Sequence, residues 1–385
     1  MRSVTFPPSS ASSWKPSGVR LCRFNLADQQ GWLDGSTLRL AFTLTNLSPT
    51  SVLAPVVDSP ASMFRRLRII ANGSAVIEDI EEYGRVFQLM SELRSSQSHY
   101  NAISETWSAG STMSSLSGPI GNEMTLPGDS SRQVVVTLLS PFLAQGKYLP
   151  LTMLPLTIEI ELGEADDVFE ATGNAWEITR PRLLADVCQL DQALQNSYAK
   201  HILDGKSLPI YSQGIYSLRA AVPTGSSLYS LPIARGFTRL STVFATFWDG
   251  EGKWVDRFFC PNQPDVPNHT VEDIMQWNIT IGAERYPQFD CESLQESFYR
   301  MRQALMSHNG NAEVPISSHD YRVGKFVLGQ NLQKAPGSAH TGVNTRSGSQ
   351  LTLNFKNLGD ATMIHVILIY EQIINVSAAG VEVLD

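Results

Sequence analysis

Residues 64–86 read FRRLRIIANGSAVIEDIEEYGRV, and the way this stretch divides decides the fold. Leu67, Ile69 and Ala71 alternate with other residues, the period-two mark of a strand with one buried face. The strand runs into Asn72-Gly73, a dipeptide suited to the positive φ angles of a tight hairpin turn. Farther on, Ile80, Tyr83, Val86, Met90 and Leu93 recur at spacings of three and four. That spacing predicts a helix over 78–93, with acids crowded at the end where the helix dipole favours them.

Working outward, the same order returns in the second half. Trp277, Ile279 and Ile281 alternate as a strand 210 residues after Leu67, Ile69 and Ala71. Phe298, Met301 and Leu305 stand 215 residues after Tyr83, Val86 and Met90, in a helix predicted over 293–308. That helix opens with a capping box, Ser293 to Glu296. Phe42 matches Phe244 at an offset of 202, Leu156–Ile158 match Leu351–Leu353 at 195, and 176–187 match 363–374 at 187. The order holds while the offset drifts, as it would if only the loops changed length. The pattern reads as a duplicated eight-strand unit with one inserted helix.

Other alternating segments complete an all-β chain: 37–46, 134–139, 216–222, 237–248 and 325–328. A third helix is predicted over 191–204, with Asp191 as N-cap and Gly205 as its stop. Residues 1–20 hold Pro7, Pro8, Pro16 and a run of serines, which predicts an arm outside the folded elements. Arg2, Lys15, Arg20 and Arg23 in or beside this arm precede the first acid, Asp28.

Composition narrows the function. The chain has 385 residues and 42.4 kDa, enough for two or three domains at about 150 residues each. Only 17% of residues are charged, against about 25% in ordinary globular chains. With 16 Phe, 11 Tyr and 7 Trp there is ample apolar surface to offset ordering entropy. A net charge of −8 argues against a protein whose main work is gripping phosphates. The four cysteines lie far apart without a CxxC pair, and buried reduced thiols are expected. No stretch has the roughly 18 uncharged apolar residues of a membrane helix, and residues 1–20 lack the apolar segment of a secretory signal.

Catalytic motifs fail one after another. Gly205-Lys206-Ser207 lacks the earlier glycine of a phosphate loop, since position 200 is Lys200. There is no HExxH zinc helix and no GxSxG nucleophile elbow. Cys260, His269 and Cys291 are too loosely spaced for structural zinc, so no metal or cofactor is expected. Asp249, Glu251 and Asp256 cluster beside Trp248 and Trp254, and paired carboxylates flanked by tryptophans suit a carbohydrate-binding or glycoside-cleaving site. The same residues suit a solvated hairpin tip.

Four stretches carry a family likeness: GSTLRLAFTLTN (35–46), FRRLRIIANGSAVIEDIEEYGRV (64–86), KYLPLTMLPLTIEIEL (147–162) and GVNTRSGSQLTLNFKNL (342–358). In this order, and with the duplication, the chain resembles the double jelly-roll major capsid proteins of tailless icosahedral DNA viruses. That lineage includes the adenovirus hexon and the virophage and polinton-like capsid proteins. The resemblance implies two tandem eight-stranded jelly-roll sandwiches, over 19–190 and 207–385, behind a flexible arm (1–18) and joined by a helical linker (191–206). It implies a non-enzymatic virion subunit, made in the host cell without a secretory signal, that takes no small-molecule substrate. Homotrimers would form pseudo-hexagonal capsomers that meet neighbouring capsomers, penton and minor capsid proteins. Arg2, Lys15, Arg20 and Arg23 would then face inward, toward a membrane, the genome or a minor protein. The competing expectation is the carbohydrate-active sandwich built on Asp249, Glu251 and Asp256.

Overall fold

The computed structural model describes residues 1–10, 12–27, 31–56, 59–94, 106, 125–169, 175–223, 225–253, 258–262, 274–309, 313–335, 341–346 and 348–385. The first half runs through β1 (Arg2–Phe6), β2 (Ser13–Trp14), β3 (Leu21–Leu26), β4 (Gly31–Asn46), β5 (Phe64–Ala71) and β6 (Ala75–Glu81). Helix α1 (Tyr83–Glu92), β7 (Ser131–Thr137), β8 (Leu149–Pro150), β9 (Leu156–Leu162), α2 (Ala165–Val168) and β10 (Trp176–Gln189) follow. Helix α3 (Gln192–Leu203) leads to β11 (Leu208–Ala221), β12 (Leu228–Ile233), β13 (Leu240–Trp248), β14 (Gln276–Ile281) and β15 (Glu284–Cys291). The chain ends with α4 (Leu294–Asn309), α5 (Ser318–Val323), β16 (Leu328–Asn331), β17 (Leu351–Lys356), β18 (Met363–Ser377) and β19 (Gly380–Leu384).

These strands form two pairs of sheets with one wiring. The first pair is β1-β10-β4-β7, with β2 on β10 and β8 on β4, and β3-β9-β5-β6. The second is β11-β18-β13-β16, with β19 on β18, and β12-β17-β14-β15. Counting eight main strands in each half, both follow the orders 1-8-3-6 and 2-7-4-5. That is the jelly-roll path, in which strands far apart in sequence close each sheet and few edges are left open. The helix between the fifth and sixth strands, α1 or α4, occupies the same place in both. The offsets read from the sequence therefore link strands that are true counterparts: β5 with β14, β9 with β17, β10 with β18. By contacts the chain forms two compact units: 1–88, 97–214 and 372–384 in one, 89–96, 215–371 and residue 385 in the other.

Each roll buries aromatic rings between its sheets. Phe42 meets Phe64 edge-on at 6.2 Å in the first, and Phe247 meets Phe355 at 5.5 Å in the second. Burial along β10 alternates, whereas β18 is buried without a break from Ile364 to Gln372. Helix α4 lies on β13 and β16 of the same sheet. Its backbone comes so close to Gly329 that a side chain there would stand 2.7 Å from the Met301 Cα.

Three expectations need correcting. The helix predicted from residue 78 starts at Tyr83, and 75–81 is strand β6. Ile77, Ile80 and Tyr83 are all buried, and a three-residue spacing in a bulged strand imitates a helical period. The strand expected over 325–328 lies at Leu328–Asn331. Most important, residues 1–18 are not an arm outside the fold. β1 pairs with β10 from Arg2 opposite Val187 to Phe6 opposite Leu183, and β2 places the fully buried Trp14 against the same strand. Prolines and serines mark the bends between short strands here, so local composition concealed an edge.

The predicted helix at 191–204 is α3. Asp191 accepts from the Leu194 N–H at 2.8 Å, and Gly205 leaves the helix at φ +80°. For α4, Ser293 Oγ accepts from the Glu296 N–H at 3.1 Å, but the Glu296 carboxylate takes Arg300. Half of the expected capping box is made.

Candidate functional site

The four cations singled out at the N-terminal end are not gathered into one patch. Lys15 Nζ lies 3.4 Å from Glu177, and Arg20 donates to Glu164 at 2.7 Å and to the Leu162 carbonyl. Arg23 donates to Glu159 at 2.8 Å. Arg2 lies on β1 opposite Val187. Lys15, Arg20 and Arg23 thus each neutralise a different acid of the first roll.

The carboxylate loop is a turn. Asp249 accepts from the Glu251 N–H at 2.9 Å, the Trp248 indole donates to the Glu251 carbonyl at 3.1 Å, and Gly250 and Gly252 take positive φ. Asp249 caps its own backbone, while Glu251 is exposed. Asp256, Trp254 and His269 lie outside the described residues. Among the described residues no cluster of three or more His, Cys, Asp or Glu could hold a metal ion. Burial pushes the Cys22 and Cys260 thiols up to about 12, which leaves them protonated and unreactive.

What sequence reading missed is chemistry on the two outer sheet faces. On β3-β9-β5-β6, Glu159 is almost covered and accepts from Arg23 and, at 3.4 Å, from Arg68. Arg68 reaches Asp79 at 3.3 Å, and Arg66 binds both Asp79 oxygens at 2.7 Å. This is a charged ladder across four strands. On β12-β17-β14-β15, Asn354 accepts from Ser230 at 2.9 Å and donates to Asn278 at 3.1 Å. Asn278 donates to Asp290 at 2.8 Å, and Lys356 donates to the same carboxylate at 2.9 Å. These side chains line a shallow depression of about 230 Å³. The offsets would have located both ladders, because Glu159 and Asn354 are 195 apart and Arg68 and Asn278 are 210 apart.

One buried acid stands apart. Glu78 is 2% exposed and accepts from Ser140 Oγ at 2.5 Å and the Phe142 N–H at 2.8 Å. Burial raises its pKa to about 7 despite both hydrogen bonds. It anchors the segment after β7 to β6 through the Ser140 hydroxyl and the Phe142 N–H.

No family model matches the sequence, and no curated protein matches it either. Solved structures do. PBCV-1 VP54, fitted into a reconstruction of the virophage Sputnik, aligns with TM-score 0.66 at 10% identity, covering 99% of this chain and 95% of that one. A chain of the Sputnik virophage structure aligns at 0.57 and 10% identity, covering 99% and 88%. The STIV MCP, from the virus whose full name is Sulfolobus Turreted Icosahedral Virus, aligns at 0.53 and 10% identity over 98% of both chains. Sheet order, duplication and whole-length alignment agree: the chain has the double jelly-roll fold of these viral capsid proteins.

Proposed function

We propose that the chain is the major capsid protein of a tailless icosahedral virus, a structural subunit and not an enzyme. The observation that supports this most directly is the 1-8-3-6 and 2-7-4-5 sheet order, repeated in both halves of the chain. Two similar rolls in one chain, joined through 191–206, form three such pairs in a homotrimer. Six similar barrels make a pseudo-hexagonal block that tiles a shell against neighbouring capsomers, with penton and minor capsid proteins at the remaining positions. A closed three-fold contact is heterologous but ends at the ring, so it yields capsomers and not fibres.

Light scattering or native mass measurement of the purified chain tests the reading. A species at three times 42.4 kDa is expected, and a stable monomer that cleaves glycans would overturn it. On the same reading the N-terminal segment that carries Arg2, Lys15, Arg20 and Arg23 faces the capsid interior, toward membrane, genome or a minor protein. Replacing all four with serine should leave trimers intact and lower the yield of complete particles. Trimers and particle yield both unchanged would remove that assignment.

A further inference from the structure

The outer face of β12-β17-β14-β15 carries two rows of side chains. One crosses the four strands as Ser230, Asn354, Asn278 and Asp290, bonded in succession from hydroxyl to amide to amide to carboxylate. Two residues along each strand, Leu228, Lys356 and Gln276 form the second, set by the pairing of Leu228 with Lys356 and of Lys356 with Gln276. Together they line the depression of about 230 Å³. In the first roll the places of Ser230 and Asn278 belong to Arg23 and Arg68, whose guanidinium groups reach Glu159. The shorter hydroxyl and amide of the second roll leave room above the row.

Hydrogen-bonding capacity is left over in this depression, and it is of both kinds. Among the described residues, Ser230 Oγ gives its proton to Asn354 and keeps its lone pairs. Gln276 Oε1 accepts from Lys356 at 3.3 Å, which leaves the Gln276 amide protons to give. Lys356 spends two of its three N–H groups, on Gln276 and on Asp290. Asp290 is already held by Lys356 at 2.9 Å and by Arg285, so an uncharged ligand leaves that ion group intact. Leu228, 68% exposed, supplies an apolar rim.

We propose that this depression binds a neutral saccharide, with one pyranose ring lying on the Ser230, Asn354 and Asn278 row and its C–H face against Leu228. A sugar hydroxyl donates and accepts at once, so neighbouring hydroxyls match the mixture of lone pairs and N–H groups. An inorganic anion would use the N–H groups alone, and an apolar ligand would bury both kinds unpaired, at a cost. The depression is smaller than the roughly 300–1,000 Å³ of a pocket that encloses its ligand, so one face of the ring stays in water. Binding is then weak, with a Kd on the order of 1 mM. The inference goes beyond the capsid-subunit reading and does not depend on it, and the site is separate from the Asp249 loop.

The test is saturation-transfer NMR on the full chain with glucose, galactose, mannose and N-acetylglucosamine as probes. At least one should give a signal that ionic strength leaves unchanged. Silence from all four overturns the inference, and a signal that fades with salt overturns the neutral class. Leu228→Arg fills the depression from its exposed rim and should weaken binding about 10-fold or more. Leu203→Arg, at an 82% exposed position on α3, should not. Both changes sit on exposed side chains, and circular dichroism checks that each variant keeps the wild-type fold. Ser230→Ala combined with Gln276→Ala should remove the signal as well. Equal binding by wild type and Leu228→Arg overturns the assignment to this face, while trimers formed by both chains would still uphold the capsid reading.

Discussion

Two sheets with the same strand order carry different chemistry on their outer faces. In β3-β9-β5-β6 the central position is Glu159, held between Arg23 and Arg68. In β12-β17-β14-β15 the corresponding position is Asn354, held between Ser230 and Asn278. The backbone registers match, since Glu159 lies opposite Arg23 and Arg68 while Asn354 lies opposite Ser230 and Asn278. The comparison shows that the same cross-strand row can be built on a carboxylate between two guanidinium groups or on an amide between a hydroxyl and a second amide.

Exchanging the two chemistries breaks the comparison most directly. Glu159→Gln keeps the shape and removes the charge, leaving two guanidinium groups beside a nearly covered amide. A loss of about 1–3 kcal/mol is expected in urea unfolding. A neutral outcome would mean that the arginines find equal partners elsewhere. The reverse change, Asn354→Asp, removes the amide that donates to Asn278 and Thr280 and sets a carboxylate against the Asn278 carbonyl oxygen. It should cost about 1–2 kcal/mol at neutral pH and less in acid, where the new carboxyl is protonated.

Acidity separates the rolls further, with opposite signs. Glu78 in the first roll has its pKa raised from the usual 4.5 to about 7, so its contribution to stability is full below 4.5 and is lost as pH rises through about 7. Asp290 in the second roll is pushed up by burial, but Lys356, Asn278 and Arg285 together hold it below the ordinary 3.8. Its contribution is present above 3.8 and is lost only as pH falls through that lowered value. Unfolding midpoints from pH 4.5 to 8 should therefore decline toward high pH in the wild type, and Glu78→Gln should flatten the slope. A slope unchanged by Glu78→Gln would remove this acid as its source. The smallest effect is expected from salt: raising ionic strength should weaken the charged ladder by less than about 1 kcal/mol and should leave Asn354→Ala unaffected relative to wild type.

How much was legible depended on how much of each element's signal was local. β4, β5, β9 and β10 show an alternating pattern over six or more residues, and α4 shows its own period with a cap residue. β1 did not, because RSVTF is a five-residue edge whose only buried residue is Phe6. β3 alternates cleanly at Cys22, Phe24 and Leu26, but it follows a proline- and serine-rich stretch that read as an arm. β6 carries three acids, and one of them, Glu78, points inward, against every expectation for a charged side chain.

The candidate sites follow the same division. That Asp249 and Glu251 share a loop was readable; that Asp249 is spent on its own turn was not. The alternation, the turn at Asn72-Gly73, the cap at Asp191 and the repeat of one element order in both halves are properties of neighbouring residues, and the sequence by itself determined them. Which strand lies beside which, and therefore that Arg23 reaches Glu159 across 136 residues or that Ser230 reaches Asn354 across 124, only the tertiary structure decided. The physical reason is that a strand's period specifies its buried face alone, while its partners are set by how all eight strands close together around one core.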